Sequence, residues 1–196
     1  MSLHTQCEIE LPKWLDSFLD DWPEPLTTVE QRMRLAVSLS AENVRHGSGG
    51  PFGAIVIEDQ SGHILGAGVN LVTTLELSMA HAEMVALSLA QSAISNWNLG
   101  ARTDVQLVTS CEPCAMCFGA VPWSGVTSLV WGAGKEDAES AGFDEGDKPA
   151  NWVQTLHKRG IQTRSDVLRD EAAAVLASYA RKAGTIYHPG RDNSQT

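Results

Sequence analysis

Three of the chain's four cysteines stand in SCEPCAMC, Ser110 to Cys117, at intervals of three. Such a ladder serves a disulfide, an iron–sulfur cluster, a zinc site or plain packing, and each use asks for different partners. A disulfide asks for an oxidising compartment. The N-terminus MSLHTQCEIELP has neither a basic start nor an apolar stretch of a secretory signal, and no apolar run approaches the roughly 20 residues of a membrane span. The expected location is the cytoplasm, where thiols stay reduced. An iron–sulfur run of the form C-x2-C-x2-C continues with x3-C-P, whereas this chain reads Val121-Pro122 at that point and lacks the fourth thiolate. Zinc needs fewer thiolates and accepts imidazole.

Six histidines are available, and His81 stands out. It lies in AHAEM, two residues before Glu83 at the start of a predicted helix, and Pro113-Cys114-Ala115-Met116-Cys117 follows. Cys114 and Cys117 are one helical turn apart, so both sulfurs can reach one ion. Pro113 suits a first helical position, and the helix N-terminus favours thiolate over thiol. His81 and Glu83 would diverge by about 200° in mid-helix, so both serve one site only if the helix begins beside the metal. Three protein ligands leave the fourth tetrahedral position open, the mark of a catalytic zinc. H-x-E followed by P-C-x-x-C is the signature of zinc deaminases that act on nucleobases, and it predicts one zinc per chain. Cys111 is then surplus. It precedes a proline-led helix in extended geometry and is expected to pack at a strand end. Cys7 is a bystander.

These residues need elements to hold them. At 196 residues and 43% apolar, the chain supports one domain, 1–196, with about 1–25 and about 190–196 as loose extensions. Thr27 to His46 reads as a helix capped by Thr27 or Thr28, with Met33, Val37 and Val44 on one side and GSGG as its stop. GAIVI and ILGAGV, separated by EDQSGH, read as a hairpin. A helix from His81 to about Ile94, apolar nearly all round, is expected to pack on a sheet. The strand VQLVT, a helix over Pro113 to Val121, the strand TSLVWG and an acidic loop follow. A helix through Trp152 to Lys158, a short strand near Ile161 and a closing helix from about Val167 to Ala183 complete the chain. Two strands followed by helix–strand alternation predict an α/β fold, a three-layer α/β/α sandwich with a mixed central sheet.

The chain resembles the cytidine-deaminase superfamily, and within it most closely the bacterial guanine deaminases. The resemblance runs through GGPFGAIVI (Gly49 to Ile57), GVN (Gly68 to Asn70), AHAE, TSCEPCAMCFGAVPW (Thr109 to Trp123) and AGFDEG (Ala141 to Gly146). HAE and PCxMC are shared with tRNA adenosine deaminases, so the narrower likeness rests on GGPFG, GVN and above all AGFDEG. It implies zinc ligation by His81, Cys114 and Cys117, with Glu83 as proton carrier. It implies that Asn70 bonds the base edge and that Phe52, Trp123, Phe143 and Ala82 surround the ring. Glu145 stands where guanine deaminases carry a second acid, often aspartate. Tyr187 is a candidate for the C-terminal tyrosine that closes the pocket in some relatives. The implied assembly is a homodimer.

The reaction expected is hydrolytic deamination of a free nucleobase, guanine to xanthine and ammonia. Cytosine or an amino-triazine meets the same chemical need, a ring carbon bearing an amine beside a ring nitrogen. Fourteen Lys and Arg against 24 Asp and Glu give a formal net charge of −10, which repels polyphosphate and argues against a tRNA substrate or any nucleic-acid partner. A zinc-stabilised binding module without turnover would have no use for Glu83.

Overall fold

The computed structural model describes residues 4–187, and the polar tail lies outside them. In chain order the elements are α1 (Trp14–Asp20), α2 (Val29–Arg45), β1 (Gly53–Glu58), β2 (Ile64–Val69), α3 (Val72–Leu75) and α4 (Ala82–Ala93). A 3-10 turn over Leu99–Ala101 leads to β3 (Val105–Cys111), α5 (Ala115–Ser124), β4 (Ser128–Ala133), α6 (Lys135–Ser140), α7 (Trp152–His157), β5 (Gln162–Arg164) and α8 (Arg169–Arg181). The five strands form one mixed sheet in the order β2-β1-β3-β4-β5. β1 is antiparallel to β2 and β3, whereas β3, β4 and β5 run parallel.

The sheet is buried on both faces because its strands alternate between two cores. Ile55 and Ile57 of β1 and Val130 of β4 face α2 and α8, with Met33, Leu39 and Leu176. Ala54 and Val56 of β1 and Leu129 and Trp131 of β4 face α4, α5 and α7, with Ala86, Val121 and Leu156. That is the expected three-layer sandwich. Period-two alternation with apolar residues at both phases leaves a strand no wet face.

Local chemistry explains most boundaries. Thr28 is the cap of α2: its hydroxyl accepts from Gln31 N, while Gln31 Oε1 accepts from Thr28 N at 3.0 Å. α4 lies so close to β2 that a Cβ on Gly68 would stand 2.3 Å from Ala82 O. Glycine there lets the first turn of α4 rest on the strand backbone.

Two expectations are corrected. The residues before Pro25 are not loose throughout, because α1 places Leu15 in the core and Trp14 Nε1 donates to Ser48 Oγ at 2.9 Å. The acidic segment begins as a helix, α6, because Asp137 Oδ2 accepts from Gly134 N at 2.8 Å and is paired with Arg169 of α8. Among the described residues no helix is long and apolar enough to cross a membrane.

Candidate active site

Sheet topology gathers the site. β3 and β4 end at one edge of the sheet. Because β1 runs opposite to them, its start and the end of β2 lie at that same edge. Phe52 before β1, Asn70 after β2, Glu112 after β3 and the 141–150 loop beyond β4 and α6 therefore converge. The carboxyl ends of parallel strands are the usual ligand position in an open α/β sheet.

His81, Cys114 and Cys117 meet there, with ligand atoms all within 4.8 Å of one another. His81 Nδ1 lies 3.5 Å from Cys114 Sγ and 3.6 Å from Cys117 Sγ. A tetrahedral zinc with Zn–S near 2.3 Å and Zn–N near 2.0–2.1 Å requires N···S separations of about 3.5–3.6 Å. The donor set thus fits zinc in both chemistry and spacing, and Cys111 is not part of it. The Cys111 thiol is buried and lies 3.8 Å from Gly134 O.

Two helices begin at this cluster. His81 is the N-cap of α4 and Cys114 the N-cap of α5, both with extended backbone, so both positive helix ends face the thiols. Pro113 therefore precedes the cap and does not occupy the first helical position. A Cys117 thiol hydrogen bond, helped by His81 and opposed by burial, pulls the Cys114 pKa down to about 4. Cys117, the other side of that bond and more deeply buried, is pushed well above the ordinary thiol value. Without metal the pair shares one proton; an ion bound by both sulfurs must displace it. Burial would lower the His81 pKa, but its bond to Cys114 and the charges of Glu83, Cys114 and Glu145 raise it.

Two carboxyls sit beside the cluster, both buried. Burial, with the Cys114 charge behind it, raises the pKa of Glu83. Burial, then Cys114 and Glu83, raises that of Glu145 to about 8 against the opposing pull of Lys148 and His81. Acids shifted toward neutrality can take up and release protons at working pH.

The remaining wall is aromatic. Phe52 and Phe143 meet edge-on at 4.8 Å, and Tyr187 lies 5.7 Å from the His81 ring and 5.8 Å from Phe143. Asn70 Nδ2 donates to the Tyr187 hydroxyl at 2.6 Å. These groups enclose a cavity of about 20 Å³, room for about one water.

Trp123 does not join this wall. It is 78% exposed and stands about 120° around α5 from Cys117, the residue of that helix turned to the metal. Ala82 is fully buried and packs toward the sheet, not into the cavity.

Residues 26–133, more than half of the chain, match the family model of the cytidine and deoxycytidylate deaminase zinc-binding region. The chain belongs to this deaminase family. It is 41% identical to the guanine deaminase of Bacillus subtilis over 127 residues, 62% of this chain and 78% of that one. With the tRNA-specific adenosine deaminase of Streptococcus pyogenes serotype M1 it shares 33% over 145 residues, 74% of this chain and 75% of that one. The solved structure of a guanine deaminase from Nitrosomonas europaea superposes with a TM-score of 0.86 at 43% identity, covering 92% of this chain and all of that one. A solved complex with 2,6-diaminopurine is 45% identical, covers 92% of this chain and 96% of that one, and also has a TM-score of 0.86.

The deaminase site contains groups that the sequence did not single out. Glu112 and Asp144 line the cavity. Asn43, fully buried on α2, donates through Nδ2 to Gly50 O and Asn70 O, both at 2.9 Å. It clamps the loop after α2 to the backbone of Asn70, against which Gly49 presses so closely that a Cβ would stand 1.9 Å from Asn70 O. An asparagine on the apolar side of a helix is the signal that could have found it, since a buried amide implies a partner. Lys148 is the other such group. Its side chain is 4% exposed and pairs with Glu112.

Proposed function

We propose that this deaminase converts guanine and water to xanthine and ammonia, with His81, Cys114 and Cys117 holding one zinc. The observation that carries the reading is the second buried carboxyl, Glu145, set in the same cavity as Glu83, Asn70 and the ligand cluster. Guanine presents N1–H and its amine side by side as donors, which the two oxygens of Glu145 match once that acid has given up its proton; adenine has no N1–H. Relatives named as guanine deaminases support the same substrate.

When bound, zinc supplies a water acidified toward neutral pH. Glu83 takes the proton of the attacking water and delivers it to the ring nitrogen next to the amino-bearing carbon. That makes the carbon a better electrophile. Glu83 then recovers the second water proton from the new hydroxyl on that carbon, which becomes the carbonyl of xanthine, and passes it, directly or by way of Glu145, to the departing amine, which leaves as ammonia. Asn70 exchanges its Tyr187 partner for the base edge, and Phe52 and Phe143 wall the ring while excluding water.

Release of ammonia from guanine, adenine, cytosine, an amino-triazine and a tRNA by the zinc-loaded protein tests this. Guanine should be fastest, with little dependence on salt, because no phosphate counterions are released. Glu145→Gln should cost about 1–3 kcal/mol, or roughly 5- to 150-fold, on guanine. A wide preference for adenine, cytosine or tRNA, or an unimpaired Glu145→Gln, would refute the guanine reading while leaving zinc deamination standing.

The same reading makes the protein a cytoplasmic homodimer formed by a single deaminase domain. Helix α5 carries no charged residue and exposes Met116, Gly119 and Trp123 along one stripe. A second copy is the occupant that suits an uncharged face on a chain of net charge −10. Sedimentation should show a dimer that Trp123→Glu converts to monomer; a wild-type monomer ends this assignment. Cell fractionation tests the location, for which the reduced thiols of the site are the support.

A further inference from the structure

Between Ser140 of α6 and Trp152 of α7 the chain forms neither helix nor strand, yet this stretch carries Phe143 and Glu145 into the cavity. Something other than backbone pairing must hold it there. Phe143 is anchored by its rings and by its N–H, which donates to Ala138 O at 3.1 Å. Beyond it the loop is fastened to the turn that leads into Cys114. Ala115 N donates to Glu145 O at 2.9 Å. Lys148 Nζ donates to Pro113 O at 2.6 Å, pairs with the Glu112 carboxylate and lies 4.8 Å from the centre of the Trp152 ring.

This is an unusual use of a lysine. A compact, strongly hydrated ammonium is normally left in water, but here 4% of the side chain is exposed, and its carboxylate partner shows only 15%. A buried pair gains little stability over apolar residues, whereas losing one partner strands a charge away from water. What the pair secures is geometry. Gly146, at φ +66°, turns the chain between Glu145 and Lys148, so a fixed ammonium sets where the preceding carboxyl can reach.

We infer that Lys148 is a positioning residue for Glu145: its ion pair with Glu112 and bond to Pro113 O latch the 141–150 loop onto the metal-bearing turn. The inference rests on the reading of Glu145 as a group that meets the base.

The test is a kinetic cycle on the zinc-loaded full chain with guanine: wild type, Lys148→Met, Glu145→Gln and the double variant. Misplacement of a reacting group by about 1 Å can cost roughly 100-fold, so Lys148→Met should lower kcat/KM by about 10- to 100-fold while keeping one zinc. In the Glu145→Gln background the same change should cost less than about 3-fold. Lys148→Arg, which keeps the charge and the donors, should restore most of the loss. Should Lys148→Met not fold, Lys148→Gln takes its place in the cycle. A wild-type rate for Lys148→Met, multiplicative losses in the double variant, no rescue by arginine, or loss of zinc would each overturn the latch although Glu145→Gln is impaired. A Glu145→Gln enzyme with full activity would overturn the Glu145 reading and the latch together.

Discussion

Cys114→Ser should release the zinc and with it all turnover, whereas Cys111→Ser should keep one zinc per chain and near-normal activity. The two cysteines are one helical turn apart in sequence, but their surroundings differ completely. Cys114 caps α5, lies 3.5 Å from His81 Nδ1, and has a thiol whose pKa is pulled to about 4 by Cys117 and His81. Cys111 ends β3 on the opposite core, and burial pushes its thiol well above the ordinary value. Disturbing a group that merely orients a ligand costs about 10- to 100-fold in metal affinity, so deleting a ligand should cost at least that. Elemental analysis after gel filtration, with ammonia release from guanine alongside, gives the answer. If the Cys111 variant loses metal and the Cys114 variant keeps it, the ligand set is wrong.

Glu83→Gln should retain zinc and guanine binding but lose about 10²- to 10⁴-fold in kcat. Glu83 is the second residue of α4, and the cap at His81 directs both side chains to one place where a continuous helix would separate them. It is buried, and burial with the neighbouring Cys114 charge raises its pKa, which makes it a better acceptor of a water proton. Glutamine preserves size and a hydrogen-bonding end but cannot carry a proton. A loss seen in kcat with KM nearly unchanged is the expected pattern. A variant within a few-fold of wild type would show that the proton travels by another group, with Glu145 as the next to test.

The order of elements was legible because each strand and helix carries its own periodicity. The apolar runs GAIVI, VQLVT and TSLVWG became β1, β3 and β4, and the glycines of GSGG ended α2. α1 and α6 were not legible. Leu15 and Trp14 become helical because a core and the Ser48 loop receive them, and α6 depends on Asp137 meeting Arg169 from α8. Propensity over six or seven residues is too weak to reveal either in advance.

The ligand set and Glu83 could be read from sequence for a physical reason: two short motifs place their donors within a single turn, so spacing alone constrains geometry. Trp123 shows the limit. The family resemblance put it in the pocket, but it stands about 120° around α5 from Cys117 and is exposed. Tyr187 shows the reverse, a residue in a polar C-terminal segment that closes the cavity by bonding to Asn70, 117 positions away. Lys148 reaches Glu112 across 36 positions. The sequence by itself determined the metal chemistry, the carboxyl that stands beside the metal ligands and the class of fold, because these reside in local patterns of residue type. Which side chains close over the metal, which face outward and what holds the acidic loop were decided only by tertiary structure, because those contacts join distant segments whose meeting depends on how the sheet and its helices pack.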